Sequence, residues 1–295
     1  MIHKLPFLLT FVQIKVYMFI GMSSFTYGWN IGTPEYRPPL GWTESDLVDV
    51  VCRFGFNCLQ IGDNLPLHTF SVERMVVLKN KCQQHAIRLE IGAREMTEEN
   101  LILYLDLCQS LEVPLLRFVI DAKTFEPTED EIIALLKNAL PELEKKQITL
   151  GIENHDRFKA KNLSGIMDKI GHEKVGICLD CANSLGAGEG LEHITNWLAP
   201  HTVNLHLKDF KIQRLSHQMG FIVEGAPLGQ GMLDLNFLSE SLFKYGRCQS
   251  VILEQWVVPE SEEKTTLEKE KTWANESIRR LSEFSKSLKL GKTQC

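Results

Sequence analysis

The sequence predicts a single α/β domain of the (β/α)8 TIM-barrel class, and three observations support this prediction. Eight short runs rich in β-branched and other apolar residues recur along the 295 residues. The segments between them carry apolar residues at helical spacing. Continuous apolar strands of this kind are buried on both faces, as parallel strands covered by helices must be. Eight such strand and helix units close a barrel.

The predicted strands follow one another along the whole chain. They are FIGMSSF from residue 19, FNCLQI from 56, IRLEI from 87, PLLRFVI from 114, ITLGIE from 148, VGICLD from 175, TVNLHL from 202 and SVILEQ from 250. Thr97 and Thr128 are suitable N-caps for two of the intervening helices. A doubly wound open sheet is disfavoured because no Gly-rich phosphate turn follows the first strand.

The longest predicted connection runs from Lys208 to Met232, after the seventh strand, where a barrel keeps its active-site loops. Gly229 and Gly231, followed by Asp234, resemble part of a dinucleotide-binding fingerprint. They lie deep in the chain and after a long loop, so a close turn of the backbone explains them better.

The composition is that of an ordinary folded protein, with 44% hydrophobic and 24% charged residues, which excludes a disordered or fibrous chain. The formal net charge is -6, and no run of Lys or Arg exceeds two residues. Nothing therefore concentrates the positive potential that a polyphosphate partner requires. We expect no nucleic acid as the main ligand.

Eight cysteines lie at irregular spacing, mostly inside apolar stretches, and predict buried reduced thiols instead of a disulfide framework. Cys178 and Cys181 match a C-x-x-C pattern, but no second pair follows, so we interpret them as structural thiols. A reducing compartment, and hence a cytoplasmic location, is expected.

Residues 1–17 are predicted to be a dispensable N-terminal extension, followed by one barrel domain over residues 18–290. The first twenty residues are apolar, but Lys15 interrupts the run and no small-residue cleavage site follows. Neither a signal peptide nor a membrane span is favoured, and no membrane partner is expected.

Barrel enzymes carry their reactive groups at the carboxyl ends of strands, and four consecutive predicted strands end in a candidate metal ligand. These residues are Glu153, Asp180, His206 and Glu254. Adjacent strand ends of a small barrel bring side chains close enough to share one ion. Three carboxylates and one imidazole suit one divalent cation, namely Mn²⁺, Mg²⁺, Co²⁺ or Zn²⁺. Without a cation, carboxylates this close would repel one another.

The Glu of IENH, the Asp of LDCAN, the His of HLKD and the Glu of ILEQ resemble the metal centre of the xylose isomerase-like TIM barrel superfamily, the sugar isomerase/epimerase group. This resemblance covers roughly residues 18–285. It implies that these four residues bind the metal and that Glu153 and Glu254 are also acid/base groups on opposite faces of the substrate. DNLPL, together with ENHD, HLKDF and ILEQW, is similar to a subgroup close to the 3-oxo-isoapionate decarboxylases, which act on branched sugar acids.

The sequence departs from two subfamilies. Asn183 stands where ketose 3-epimerases have a His, and Ile212 stands where they have an Arg, the nearest Arg being Arg214. Both differences weaken a 3-epimerase assignment. The extra His residues of apurinic endonucleases are missing from the ends of the second, third and fourth strands, which argues against DNA repair.

Several polar side chains near the strand ends are candidates for binding substrate: Asn64, Arg117, His155, Asn183, Lys208, Arg214, His217 and Trp256. Arg117 needs an anionic partner inside the barrel, either a carboxylate such as Glu90 or a substrate acid group. Lys208 and Arg214 are the best candidates for holding a substrate carboxylate or phosphate. Arg214, His217 and Glu224 would cover the metal if the long seventh loop folds inward. For Trp29 and Trp256, packing is favoured over stacking on a sugar.

The predicted function is that of a divalent-metal-dependent sugar isomerase or epimerase acting on a small ketose through a metal-stabilised enediolate. A metal-dependent decarboxylase of a 3-oxo sugar acid, of the 3-oxo-isoapionate type, is the alternative. A non-catalytic sugar-binding barrel is a remote third choice, because a binding protein needs no metal-bound acid/base pair. The expected partner is a small polyhydroxylated sugar or sugar acid. The oligomeric state is left open, a homo-oligomer included.

Overall fold

The computed structural model describes residues 18–33, 36–39 and 41–290. All eight predicted strands form, and they close into a parallel barrel in chain order, with the last strand pairing with the first. The predicted N-terminal extension, residues 1–17, lies outside the described residues. The barrel strands are β1 Phe19–Ser23, β2 Cys58–Ile61, β3 Arg88–Arg94, β4 Leu115–Val119, β5 Thr149–Glu153, β6 Val175–Asp180, β7 Thr202–Leu207 and β10 Ser250–Leu253.

Helices follow the strands and cover the outside of the barrel, so the strands are buried on both faces as predicted. Their bounds are α1 Gly28–Ile31, α2 Glu44–Phe54, α3 Val72–Gln84, α4 Glu98–Leu111, α5 Glu129–Lys146, α6 Ala160–Ile170, α7 Leu191–Leu198, α8 Leu235–Leu242 and α9 Glu263–Leu290. The two predicted N-caps are confirmed, because the Thr97 side chain accepts a hydrogen bond from the Asn100 amide and that of Thr128 accepts one from Glu131. Along the helices that the structure describes, none is long and apolar enough to cross a membrane.

The barrel interior contains polar side chains as well as apolar ones. Gln60 on β2 donates a hydrogen bond to Asn204 on β7 over 3.2 Å. These two strands are not neighbours in the barrel, so both side chains point into its interior. Asn204 lies two residues before His206 on the same strand, and alternate residues of a strand share a face. The predicted ligand His206 therefore also points inward, one layer nearer the carboxyl end.

The long connection after β7 contains a two-stranded antiparallel hairpin, β8 Phe210–Arg214 and β9 Phe221–Gly225, which is largely exposed. Behind it, the buried Asp209 carboxylate accepts hydrogen bonds from the backbone amides of Phe210, Gly229, Gly231 and Leu233. Gly229 has a φ of +82°, and a Cβ on Gly231 would lie 2.1 Å from Asp209 Oδ1. The two glycines thus serve a tight turn around a carboxylate, as predicted.

Candidate metal centre at the barrel mouth

Three of the four predicted ligands meet at the carboxyl end of the barrel. Asp180 and His206 are paired in register between β6 and β7, and Glu254 directly follows β10, the other neighbour of β7. All three are buried, and each offers a ligand atom within 4.8 Å of the other two. Together with Lys208, we call these residues the mouth cluster. Neighbouring strands in a closed barrel bring together residues that are far apart in sequence.

The imidazole of His206 leaves one nitrogen without a partner inside this cluster. Its Nδ1 atom lies 3.5 Å from Glu254 Oε1 and 4.0 Å from Asp180 Oδ2, and it makes no hydrogen bond among the described residues. The Nε2 atom on the other side of the ring lies 2.8 Å from Gln60 Oε1. An unpartnered buried nitrogen between two carboxylate oxygens is the arrangement that a divalent cation would satisfy. The residues present therefore fit a metal.

The fourth predicted ligand, Glu153 at the end of β5, is engaged elsewhere. Its Oε2 atom lies 2.8 Å from Arg117 Nε, and Asn183 Nδ2 donates to its Oε1 atom over 2.7 Å. Glu153 shares a second potential ligand group with Cys178 and His206. It therefore borders the mouth cluster, with its carboxylate directed at a guanidinium.

Arg117 has the anionic partners that a buried guanidinium requires, but Glu90 is not one of them. Arg117 Nη1 lies 3.0 Å from Asp63 Oδ1, in addition to its ion pair with Glu153. The prediction that Glu90 pairs with Arg117 is wrong. Glu90 forms an ion pair with Arg88 instead, with Arg88 Nε 3.0 Å from Glu90 Oε1. Burial alone would raise the pKa of Asp63, but Arg117 and Arg94 lower it below its usual value.

Space for the Arg117 guanidinium depends on a glycine in the neighbouring strand. Gly92 on β3 is in register with Arg117 on β4. A Cβ at Gly92 would lie 3.2 Å from Arg117 Cζ and 3.1 Å from the Cα of Gly62. The absence of a side chain there lets the guanidinium lie flat against the strand and reach both carboxylates.

Lys208 places an ammonium group within the mouth cluster. Its Nζ atom lies 3.2 Å from Asp180 Oδ2 and 3.5 Å from Glu254 Oε2. It also donates to Asn183 Oδ1 over 3.3 Å. Burial alone would lower the pKa of Lys208, but Asp180, Glu254 and Glu153 raise it above its usual value. Lys208 therefore stays charged at neutral pH.

Glu254 is correspondingly held as a carboxylate. Burial acts to raise its pKa, but the positive charges of Lys208 and Arg117, with a hydrogen bond from Ser23, hold the pKa of Glu254 well below its usual value. Ser23 Oγ donates to Glu254 Oε1 over 2.8 Å. The site thus combines ionised carboxylates, fixed cations and one free imidazole nitrogen.

Two further sequence candidates lie at this site. Asn183 contacts both Glu153 and Lys208, and its backbone amide donates to Asp180 Oδ1 over 2.8 Å. The ring of Trp256 is half-buried, with its centroid 5.8 Å from Lys208 Nζ. Asn154 supports the site from behind, since its side chain bonds both the amide and the carbonyl of Asp180.

The structure does not bring four other candidates into the mouth cluster. The Asn64 side chain is buried and makes hydrogen bonds with Ser24 and with the carbonyl of Gly32, so it orders the turn after β1. His155 bonds the adjacent Asp156 at the surface. Arg214 and His217 are exposed on the hairpin, where Arg214 donates to the Gln218 carbonyl over 2.9 Å.

The sequence left open whether the seventh loop folds inward over the metal, and in this structure the loop is a hairpin on which Arg214 and His217 are exposed. The hairpin that carries Arg214, His217 and Glu224 satisfies its own backbone by antiparallel pairing, so it does not need to fold inward to do so. The packing role favoured for Trp29 agrees with the structure, because its indole Nε1 donates to the Val257 carbonyl over 2.8 Å.

Sequence reasoning missed Ser23, Gln60 and Asp63, which contact Glu254, His206 and Arg117 respectively. One feature of the sequence could have identified Gln60 as a site residue. A polar side chain in the middle of an otherwise apolar strand such as CLQI must have a partner inside the protein. Asp63 and Ser23 follow or end strands, and their partners depend on the closure of the barrel.

Comparison with known proteins bears on both fold and function. Residues 49–284 match the family model described as xylose isomerase-like TIM barrel. The 3-oxo-isoapionate decarboxylase of Pectobacterium atrosepticum is 30% identical over 261 residues, which cover 88% of this chain and 94% of that protein. The resemblance drawn from the four sequence motifs, to this family and to these decarboxylases, is confirmed.

Solved structures with low sequence identity share the fold. D-psicose 3-epimerase from Clostridium cellulolyticum H10, crystallised with D-tagatose, superposes with a TM-score of 0.67 at 16% identity, covering 92% of this chain and 99% of that one. A xylose isomerase-like TIM barrel protein from Mycobacterium smegmatis, in complex with magnesium, gives a TM-score of 0.64 at 14% identity, with 90% and 98% coverage. These likenesses confirm the barrel architecture.

Proposed function

The chain belongs to the xylose isomerase-like TIM barrel family, and on that premise we propose that it is a divalent-metal-dependent decarboxylase of a 3-oxo sugar acid. This proposal adopts the second of the two enzyme activities expected from the sequence. The decarboxylase relative covers most of both chains, whereas the epimerase structures share only the fold.

The observation that carries the proposal is the position of Lys208 between Asp180 and Glu254. A 3-oxo acid is an anion, and negative charge moves from its carboxylate to its carbonyl oxygen as carbon dioxide leaves. An ammonium whose side chain is only 15% exposed and that lies beside the candidate ligands can hold that charge throughout the step. Fixed charges in a site with little water are effective because they need no reorganisation during the reaction.

The charge balance of the site also favours an anionic substrate over a neutral ketose. Asp180, Glu254 and Glu153 carry three negative charges, and Lys208 and Arg117 carry two positive ones. The adjoining Asp63 and Arg94 neutralise each other as an ion pair of 3.1 Å. A divalent cation would leave one excess positive charge, which a monoanionic sugar acid would cancel.

Asp180, His206 and Glu254 are the residues that would hold the metal. Bound there, a divalent cation would supply Lewis-acid stabilisation of negative charge on the 3-oxo oxygen of the substrate. Carboxylates with one imidazole suit Mn²⁺, Mg²⁺, Co²⁺ or Zn²⁺. The related barrel from Mycobacterium smegmatis was crystallised with magnesium.

The protein residues have separate roles in this proposal. Lys208 holds the acid group of the substrate, and Arg117 with Asn183 fixes Glu153 beside the mouth cluster. The electron pair of the breaking carbon–carbon bond passes into the adjoining carbonyl group. A proton that comes ultimately from water then replaces the lost carboxyl group on carbon. Only one proton is added, so a second carboxylate on the opposite face is not required.

A metal-dependent isomerase or epimerase is the second candidate. The fold shared with D-psicose 3-epimerase and the presence of both Glu153 and Glu254 favour it. It requires both carboxylates to exchange protons with carbon on opposite faces of the substrate. Both carboxylate oxygens of Glu153 are already occupied, one by the ion pair with Arg117 and the other by the hydrogen bond from Asn183, which weakens this candidate.

An assay in deuterium oxide separates the two activities. Purified protein is incubated with Mn²⁺, Mg²⁺, Co²⁺ or Zn²⁺ and with 3-oxo sugar acids or ketoses. We expect carbon dioxide release from a 3-oxo acid, with deuterium appearing only in the product. Washing of deuterium into an unreacted ketose, without carbon dioxide release from any acid, would favour the epimerase. No bound metal and no turnover of either class would contradict both enzyme activities.

We also propose a reducing, cytoplasmic location. Seven cysteines are free in the described part of the chain, and six of them are buried. Free buried thiols are typical of proteins kept in a reducing compartment.

A further inference from the structure

A layer of polar side chains, all buried except the half-buried Arg88, lies directly beneath the mouth cluster, and we call it the lower polar layer. It consists of Gln60, Arg88, Glu90, Asn204 and Ser250. One atom of this layer, Gln60 Oε1, lies 2.8 Å from His206 Nε2. The layer therefore contacts the candidate metal centre through the ring of a single candidate ligand.

The direction of the Gln60 amide is set by its neighbours. Glu90 is a carboxylate paired with Arg88, and a carboxylate only accepts hydrogen bonds. The Gln60 atom that lies 3.2 Å from Glu90 Oε2 must therefore be the NH2 group. The carbonyl end of the amide then faces His206.

A second chain of hydrogen bonds leads to the same direction. Asn204 Nδ2 donates to Ser250 Oγ over 2.7 Å, and that hydroxyl donates to Glu90 over 3.0 Å. Asn204 is thereby oriented with its oxygen towards Gln60 Nε2 at 3.2 Å and towards the Cys178 thiol at 2.9 Å. Both routes end on the Glu90 carboxylate, and both present Gln60 Oε1 to the imidazole.

A carbonyl oxygen facing Nε2 requires that nitrogen to carry the proton. A neutral imidazole has only one N–H group, so its Nδ1 atom then presents a lone pair. The other tautomer would place two lone pairs against each other at 2.8 Å inside the protein. We infer that Gln60 is a positioning residue that fixes His206 in the Nε2–H tautomer, with the Nδ1 lone pair directed between Asp180 and Glu254.

The inference rests on the proposed function in one respect, namely that His206 is a metal ligand. A purely structural His206 would leave Nδ1 buried and unpartnered beside two carboxylates, and a buried polar atom without a partner destabilises the folded protein. A neutral His206 ring could avoid this by carrying its proton on Nδ1 and donating it to Glu254. Because Gln60 Oε1 requires the proton on Nε2, the Nδ1 lone pair stays available for a cation.

The test compares two variants that damage the lower polar layer to a similar extent. Gln60→Met keeps the length of the side chain but removes the acceptor for Nε2–H. Ser250→Ala removes one hydroxyl from the layer and leaves the contact between Gln60 and His206 in place. The His206 tautomer is read in the metal-free protein from long-range ¹H–¹⁵N correlations of the ring. Metal affinity is measured by titration with Co²⁺ alone.

We expect the Nε2–H tautomer in wild-type protein and in Ser250→Ala, and its loss in Gln60→Met. The Kd for Co²⁺ should rise about 10–100-fold in Gln60→Met, the usual cost of removing a partner of a metal ligand, and stay within about threefold in Ser250→Ala. Gln60→Glu should restore the affinity, because a protonated carboxyl can donate to Glu90 and accept from His206.

The Nδ1–H tautomer in metal-free wild-type protein would overturn the inference, as would an unchanged tautomer and Co²⁺ affinity in Gln60→Met. Failure of the proposed function looks different. Wild-type protein with the Nε2–H tautomer that binds no Co²⁺ would contradict the metal site while supporting the role of Gln60. If Gln60→Met does not fold, the wild-type tautomer and the Gln60→Glu affinity still decide the question.

Discussion

The mouth cluster and the lower polar layer are adjacent, both are buried, and both are built from charged and amide side chains. They differ in how completely their atoms are paired. In the lower polar layer Arg88 Nε and Glu90 Oε1 make no hydrogen bond but lie 3.0 Å apart as an ion pair, and Gln60, Asn204 and Ser250 are linked by hydrogen bonds. In the mouth cluster His206 Nδ1 has no partner among the described residues. Buried polarity alone therefore does not distinguish the two layers, and the unpaired nitrogen between two carboxylates is what makes the mouth cluster the candidate metal centre.

The largest effect should follow from removing the unpaired nitrogen. His206→Ala should weaken metal binding by more than the ~100-fold typical of losing an outer partner, and activity should fall with it. The variant also leaves a small cavity and the Gln60 carbonyl without its donor, so the free energy of unfolding should fall by about 1–3 kcal/mol. The barrel should nevertheless remain folded by circular dichroism.

His172→Ala is a suitable control for this variant, since His172 bonds Glu144 at the surface, away from the mouth cluster. It should keep metal content and activity. Normal metal content in His206→Ala would refute the assignment of His206 as a ligand.

The second largest effect should come from Lys208, whose ammonium is proposed to bind substrate while the neighbouring carboxylates bind the metal. Lys208→Met removes the ammonium from between Asp180 and Glu254, so the two carboxylates lose a competitor for the cation. Metal affinity should stay equal or increase, while kcat for decarboxylation should fall by about 10²–10³-fold, as for loss of one preorganised donor. Isothermal titration and steady-state rates at saturating metal measure the two quantities. Loss of metal binding together with rate would instead make Lys208 a structural part of the cluster.

The strands and the four strand-end residues could be predicted because both depend on local patterns. An apolar run followed by a helical segment identifies each unit, and the residue at its end is read directly. The partner of Arg117 could not be predicted in this way, because Glu90 and Glu153 lie on other strands and Asp63 follows another strand. A closer look at IRLEI would have excluded Glu90, since Arg88 and Glu90 are two residues apart and share a face.

The hairpin shows a second limit of sequence reasoning. The length of the connection after β7 predicts a loop near the active site. Length alone does not predict whether that loop folds over the barrel mouth or away from it. Phe210–Arg214 and Phe221–Gly225 pair with each other, and their exposed side chains include Ile212, Phe221 and Val223. Pairing within the loop is the feature that the sequence analysis did not predict.

The third effect tests whether the lower polar layer contributes stability more than chemistry. Arg88→Met leaves the fully buried Glu90 without its ion-pair partner, which should lower the free energy of unfolding by about 3 kcal/mol. At saturating metal the rate should change by less than about threefold, because a proton taken up by Glu90 on Oε1 leaves Oε2 to accept from Gln60 and Ser250, so Gln60 keeps its contact with His206. Chemical denaturation and rate assays on one preparation give both numbers. A rate loss as large as that of Lys208→Met would show that the two layers are not separable.

The smallest effect concerns Arg214, which the sequence offered alongside Lys208 as a cation for the substrate acid. The structure places the two cations in different surroundings. Lys208 is enclosed between two carboxylates, whereas Arg214 is exposed, bonds the Gln218 carbonyl and lies 4.4 Å from the centroid of the Phe221 ring. Arg214→Met should therefore change kcat/KM by no more than about twofold and the free energy of unfolding by about 0.5 kcal/mol or less, as is usual for surface substitutions. A large rise in KM for a 3-oxo acid, with kcat and metal affinity unchanged, would mean that the hairpin bends over the mouth when substrate binds. Because Lys208→Met is expected to lower kcat and Arg214→Met would then raise KM, the two variants assign the substrate acid group to one cation or the other.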